Sequence, residues 1–214
     1  MSSFIYDVTR LIENMVEIFQ RKKVSKAISE RITRGRASAS SSEFEEEVAA
    51  LIATYTPRDI NILVDYPISY WRPEFTKTKT FYPDIALIRA NSLIAIVEAK
   101  IDLGYLPADW TKKRKATLRQ LHSAAKVTRN REPLTVSERL ITAGVVLSTR
   151  NHPERWPMFV EEVDNAVFLI SKEHRHPNDP LDESARPTYI ANVRTDKIHL
   201  EQWEKLERLI KALG

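Results

Sequence analysis

Two apolar runs of strand length, Ile85-Ala86-Leu87-Ile88 and Leu93-Ile94-Ala95-Ile96-Val97, are separated only by Arg89, Ala90, Asn91 and Ser92. Such runs flanking a short polar turn with Asn and Ser predict a β-hairpin. Charges sit at its open end: Asp84 precedes the first run, and Glu98 and Lys100 close the second. In an antiparallel pair the start of one strand lies beside the end of the next, so the three charges are predicted to meet at one edge. Alternation along a strand puts Glu98 and Lys100 on the same face and Ala99 on the other. Two carboxylates and one ammonium on one face can hold a divalent cation and leave a cation to act on substrate.

Pro83-Asp84 followed by Glu98-Ala99-Lys100 resembles the PD-(D/E)XK nuclease superfamily, which includes many restriction endonucleases, archaeal Holliday junction resolvases and the RecB nuclease domain. The resemblance covers residues 41–150. It implies an α/β fold with a restriction-endonuclease-like core, a mixed sheet flanked by helices. It also implies Mg²⁺-dependent hydrolysis of DNA phosphodiester bonds, with Mn²⁺ able to substitute. Asp84 and Glu98 would hold the metal, with the Ala99 carbonyl as a further ligand. Lys100 would orient the attacking water or stabilise charge developing on the phosphate.

An acidic helix precedes the hairpin. Phe44, Val48, Leu51, Ile52 and Tyr55 define its buried face. At about 100° per residue, Glu46 lies opposite that face, Glu43 well away from it, and Glu45 and Glu47 at its borders. Only Glu45 and Glu47 can readily reach a partly buried metal site. Superfamily members resemble one another in a helical glutamate three residues before an apolar one, the spacing of Glu45 to Val48, which would add Glu45 to the metal shell. Glu45 equally fits a capping box with Ser42. Gln120 resembles in position the supporting glutamine of RecB-like members. The tyrosine those members carry four residues later is Ala124 here, and an exposed polar residue is the alternative reading of Gln120.

The net charge of +4 is modest, so a DNA partner is implied by where the charge sits, not by its total. Residues 111–131 hold eight Lys or Arg and no acid. Read as one helix, Lys112, Lys115, Arg119, His122, Lys126 and Arg129 form a stripe beside Leu118, Leu121 and Ala125. A phosphate backbone along the stripe would relieve its self-repulsion and release counterions. A solvated face is the alternative. Lys77 and Lys79, just before the hairpin, can touch phosphate or form a polar hairpin tip. Asp102 and Asp109 lie near the motif without an assigned role. The histidines show no metal-ligand spacing beyond His174 and His176.

From Phe4 to Ile32, apolar residues keep helical spacing without Gly or Pro. Residues 1–36 are therefore predicted to form a helical extension that packs on the core or makes a homodimer. Residues 37–42, an Ala/Ser run, read as a flexible joint to a nuclease-like domain over 41–214. Strands are predicted at 60–66, 140–148, 166–170 and 189–193. Helices are predicted at 153–163, with proline in the first turn, and at 198–213. Residues 172–187 read as a mobile polar loop.

The chain has no cysteine, which excludes disulfides and thiolate metal sites. No apolar stretch reaches membrane-spanning length, and Asp7, Arg10 and Glu13 interrupt the N-terminus, unlike a secretory signal. The chain reads as a soluble cytoplasmic protein. The favoured activity is a structure-specific, resolvase-like endonuclease. The alternatives are a type II restriction endonuclease and a non-catalytic DNA-binding subunit with a nuclease fold.

Overall fold

The computed structural model describes residues 2–28, 40–104, 106–107 and 109–213, with all their side chains except those of 22–28 and 111. Two helices come first, α1 (Ser3–Ile28) and α2 (Ser40–Tyr55). Five strands follow: β1 (Ile60–Val64), β2 (Ile68–Trp71), β3 (Lys79–Phe81), β4 (Ile85–Arg89) and β5 (Ser92–Lys100). Next come α3 (Trp110–His122), β6 (Lys126–Arg129), β7 (Glu132–Pro133) and β8 (Thr135–Ser148). The chain closes with α4 (Trp156–Glu162), β9 (Asn165–Ile170), α5 (Arg186–Thr195) and α6 (Lys197–Ala212).

The main sheet is mixed, in the order β1-β4-β5-β8-β9. The β1–β4 and β4–β5 pairs are antiparallel, and β5–β8 and β8–β9 are parallel. The predicted hairpin is β4–β5. Its turn residues Ala90 and Asn91 have φ of 47° and 60°, the left-handed pair that matches a two-residue hairpin to strand twist. The apolar runs are continuous because both faces of the sheet are covered. Ile85, Leu87, Ala95 and Val97 join the core under α1, α2, α5 and α6, whereas Ala86, Ile88, Leu93 and Ile96 face Leu121 and the small sheet.

α1 belongs to that first core. Phe4, Val8, Leu11, Ile12, Met15, Val16 and Phe19 are all buried, and the helix contacts α2, α5 and α6. The basic residues 31, 34 and 36 and the first part of the Ala/Ser joint lie outside the described residues. Ser40, Ser41 and Ser42 are the opening turn of α2 and not part of a joint.

Three further expectations are corrected. Residues 189–193 belong to α5, where Tyr189, Ile190 and Val193 bury one helical face and Pro187 sits in the first turn. The basic helix stops at His122, with Ser123 as its C-cap, and residues 126–129 are strand. A second sheet, β3-β2-β6-β7, was not foreseen. Its signal is the alternation through Val127 and Thr128 followed by Asn130 and Arg131, whose φ values of 48° and 70° make the turn. The loop after β9 is tied down by Arg150–Asp179 (2.8 Å) and by Tyr189 Oη donating to the Arg175 carbonyl (3.1 Å).

Candidate functional site

The β4–β5 register pairs Ile85 with Val97 and brings Asp84 beside the end of β5. Lys100 Nζ is ion-paired to Asp84 Oδ2 and lies 3.2 Å from Glu98 Oε2. The Ala99 amide donates to the same Asp84 oxygen at 2.9 Å. The three hairpin charges therefore do converge, and they are largely out of water, with Glu98 only 5% exposed. Burying ions is costly unless each has a partner, and the cluster supplies one for every charge.

Burial acts first on the carboxyls of the cluster, and like charge adds to it. Burial pushes the Asp84 carboxyl up, and repulsion from Glu98 adds to this against the pull of Lys100. Burial pushes the Lys100 ammonium down, but Glu98 and Asp84 outweigh it and its pKa is raised. Glu45 stands at about 7, raised by burial and by Asp84, with Lys100 opposing and Asp65 and Glu98 adding. Glu45 thus shares the field of the cluster. Glu47 turns instead to α1, accepting both its hydrogen bonds from Asn14 at 3.1 Å. Ser42 lies within the first turn of α2, not before it.

Two neighbours were not identified from the sequence. Asp65, at φ 46°, donates its amide to the Asp84 carbonyl at 2.9 Å and adds to the local negative charge. Arg114 is buried, and its Nε donates to Glu98 Oε1 at 3.3 Å. The available signal for Arg114 is its spacing: with Trp110, Leu118 and Leu121 it falls on the inward stripe of α3, where a charge requires an explanation.

The expected supporting glutamine is elsewhere. Gln120 Oε1 accepts from Tyr70 Oη (3.2 Å) and Lys79 Nζ (3.3 Å) at the small sheet. Lys79 also lies 4.2 Å from the Phe75 ring centre. Lys77 is exposed in the β2–β3 connection. The basic stripe is split between elements. Lys112 and Arg119 are exposed on α3, and Lys115 pairs with Glu162 at 2.5 Å. Lys126 and Arg129 stand on β6, the latter 3.6 Å from Glu132. Asp102 accepts from the Gly104 amide and Asn151, and Asp109 pairs with Lys113.

Residues distant in sequence, His174, Asp196 and His199, offer ligand atoms within 4.8 Å of one another. Their hydrogen bonds argue against a metal site. His199 Nε2 accepts from the Ser171 amide and Nδ1 lies 2.9 Å from the Val193 carbonyl, so both ring nitrogens are committed to backbone. Asp196 caps α6, accepting from the amides of Ile198 and His199. Burial lowers the His199 pKa, in keeping with a neutral structural imidazole.

Glu45, Ala99 and Lys100 line a cleft of about 620 Å³ that continues past Asp102 and Trp110 to Asn151 and His176. That volume lies in the usual range for a ligand site. Among the described residues, no helix is long and apolar enough to cross a membrane. Comparison of the chain with family models, with curated proteins and with solved structures finds no match in any of the three.

Proposed function

We infer that the protein is a divalent-metal-dependent nuclease with a restriction-endonuclease-like core, hydrolysing DNA phosphodiester bonds. One observation carries this reading: Asp84, just before β4, and Glu98, on β5, meet around Lys100 at the end of the hairpin. The mixed sheet agrees with it, since the antiparallel β1–β4–β5 meander is joined by β8 running parallel to β5.

The donor set suits Mg²⁺, a hard cation that prefers carboxylate and carbonyl oxygens. Asp84 and Glu98 would hold it, with Glu45 and the Ala99 carbonyl as further ligands and Mn²⁺ as a substitute. Burial and then the Asp84 carboxylate raise the Glu45 pKa, and a dication would offset both. When bound, Mg²⁺ supplies Lewis-acid polarisation of the phosphate and a more acidic water. Lys100 places an ammonium at the same spot, able to stabilise charge developing on the phosphate oxygens. Burial keeps these charges in a weakly screening environment, which strengthens their action on the substrate. Exposed Lys112 and Arg119 on α3, and Lys77, Lys79 and Lys126 at the small sheet, supply cations for the DNA backbone.

The reading extends to a structure-specific, resolvase-like endonuclease working as a homodimer. Incubation of the protein with Mg²⁺ and matched branched and linear duplexes tests it. Cutting is expected with wild type and not with Asp84→Ala, and branched DNA is expected to be cut faster. A preference for one linear sequence would favour a restriction endonuclease. An intact chain that binds DNA without Mg²⁺-dependent cutting would favour a non-catalytic subunit.

A further inference from the structure

Arg114 occupies a position where a charge needs a reason. It lies on the inward stripe of α3 and is 6% exposed. Its guanidinium is held from three directions. Nε donates to Glu98 Oε1 at 3.3 Å, and Nη1 donates to the Glu162 carbonyl at the end of α4 at 3.4 Å. Its Cζ lies 5.7 Å from the Trp110 ring centre, and Trp110 is itself stacked on the fully buried Phe159 at 5.6 Å. Nη2 has no hydrogen-bond partner among the described residues.

The consequence falls on Glu98. Its two oxygens have different partners: Oε1 meets Arg114 and Oε2 meets Lys100. Rotation of the carboxylate breaks one of these contacts, so Oε2 stays on the side of Asp84. A lysine in place of Arg114 would keep the charge, but it lacks the rigid fork that bonds in two fixed directions at once.

We propose that Arg114 is a positioning residue for Glu98, holding Oε1 so that Oε2 is the oxygen presented to a divalent cation beside Asp84. The inference rests on the nuclease reading, and it adds to the hairpin motif a residue from α3. Carboxylates that ligate metals are commonly fixed by an outer partner, and loss of that partner costs about 10–100-fold in metal affinity or activity.

The test is a calorimetric Mn²⁺ titration of wild type, Arg114→Met and Arg114→Lys, run well below the melting temperature of each. Mg²⁺-dependent cleavage and metal-free DNA binding are measured alongside. Met is expected to bind Mn²⁺ about 10–100-fold more weakly and to need correspondingly more Mg²⁺ for cleavage, with DNA binding unchanged. Lys is expected to fall between. If Arg114 only ties α3 to α4, melting temperature drops while Mn²⁺ affinity stays at the wild-type value, which overturns the proposal. Should Met fail to fold, Lys decides alone: reduced affinity supports the proposal and wild-type affinity overturns it. Wild type that binds no Mn²⁺ overturns the nuclease reading and this inference with it. Wild type and variants that bind and cut alike overturn only the role of Arg114.

Discussion

Lys100 Nζ and the Ala99 amide converge on one oxygen of Asp84, Oδ2, so adjacent residues of β5 hold the side chain that precedes β4. Replacing Lys100 with Met leaves Asp84 and Glu98 facing each other without that cation. Cleavage is expected to fall about 10²–10³-fold, the usual cost of one preorganised charge-stabilising group. Stability in EDTA should drop by about 3 kcal/mol, the low end for breaking a buried pair, because Lys100 is partly exposed. Added Mg²⁺ should restore most of it. Thermal melts with and without Mg²⁺, paired with single-turnover cleavage, measure both. Cleavage within tenfold of wild type would remove Lys100 from the chemistry.

Glu45 makes the stability of the fold depend on pH. Its pKa is raised from 4.5 to about 7, so the folded state holds the proton more tightly than the unfolded chain. The stability this supplies is complete below pH 4.5 and is lost as pH rises through about 7. Glu45→Gln removes that loss. In EDTA, the melting temperature of the variant minus that of wild type should increase from pH 5 to pH 8. A difference that stays flat across this range places Glu45 outside the field of Asp84 and Glu98.

Gly144 pairs in register with Glu98 on the adjacent strand, and its missing side chain makes room for α4. A Cβ there would meet the Phe159 ring at 2.6 Å and Val163 at 3.1 Å. Phe159 is fully buried, so the ring must move. Gly144→Ala is expected to cost about 1–3 kcal/mol in urea denaturation. It should also slow cleavage, since Phe159 supports Trp110 and, through it, Arg114. Combined with Phe159→Leu, the two costs should be less than additive. Simple additivity would show that the ring is not what the Cβ displaces.

On α3, Lys112 and Arg119 are exposed, whereas Lys115 is engaged by Glu162. Lys112→Ala with Arg119→Ala should lower the slope of log affinity against log salt by about 2, one for each phosphate contact. Lys115→Ala should change it less. Fluorescence anisotropy on a duplex across a salt series reads the slope directly. An unchanged slope in the double variant takes α3 off the DNA track.

The legible parts of the site were local. Asp84, Glu98 and Lys100 lie within one hairpin, and strand alternation with antiparallel pairing is enough to join them. Helical geometry likewise narrowed the acidic run to Glu45 and Glu47, the resemblance favoured Glu45 by its spacing to Val48, and the packing of α2 turns Glu47 to Asn14. In the basic segment the charges keep helical spacing through Arg129, whereas Val127, Thr128 and Asn130 mark a strand and its turn. Tyr189 to Val193 is similarly ambiguous: a short apolar run suits strand or helix, and burial of one helical face decided it.

The hairpin, its charged end, the acidic helix and the closing amphipathic helix are written in local residue patterns. Each depends on a periodicity or a turn spanning a few neighbouring residues. The remainder comes from how the elements pack. Tertiary packing placed Arg114 against Glu98, Asp65 beside Asp84 and Gln120 at the small sheet, and gathered His174, Asp196 and His199 into a capping network. These contacts join elements whose relative placement follows from the packing of whole faces, with the sheet covered on both sides. No local pattern encodes that placement, because sequence periodicity sets which face of an element is buried and not what it is buried against.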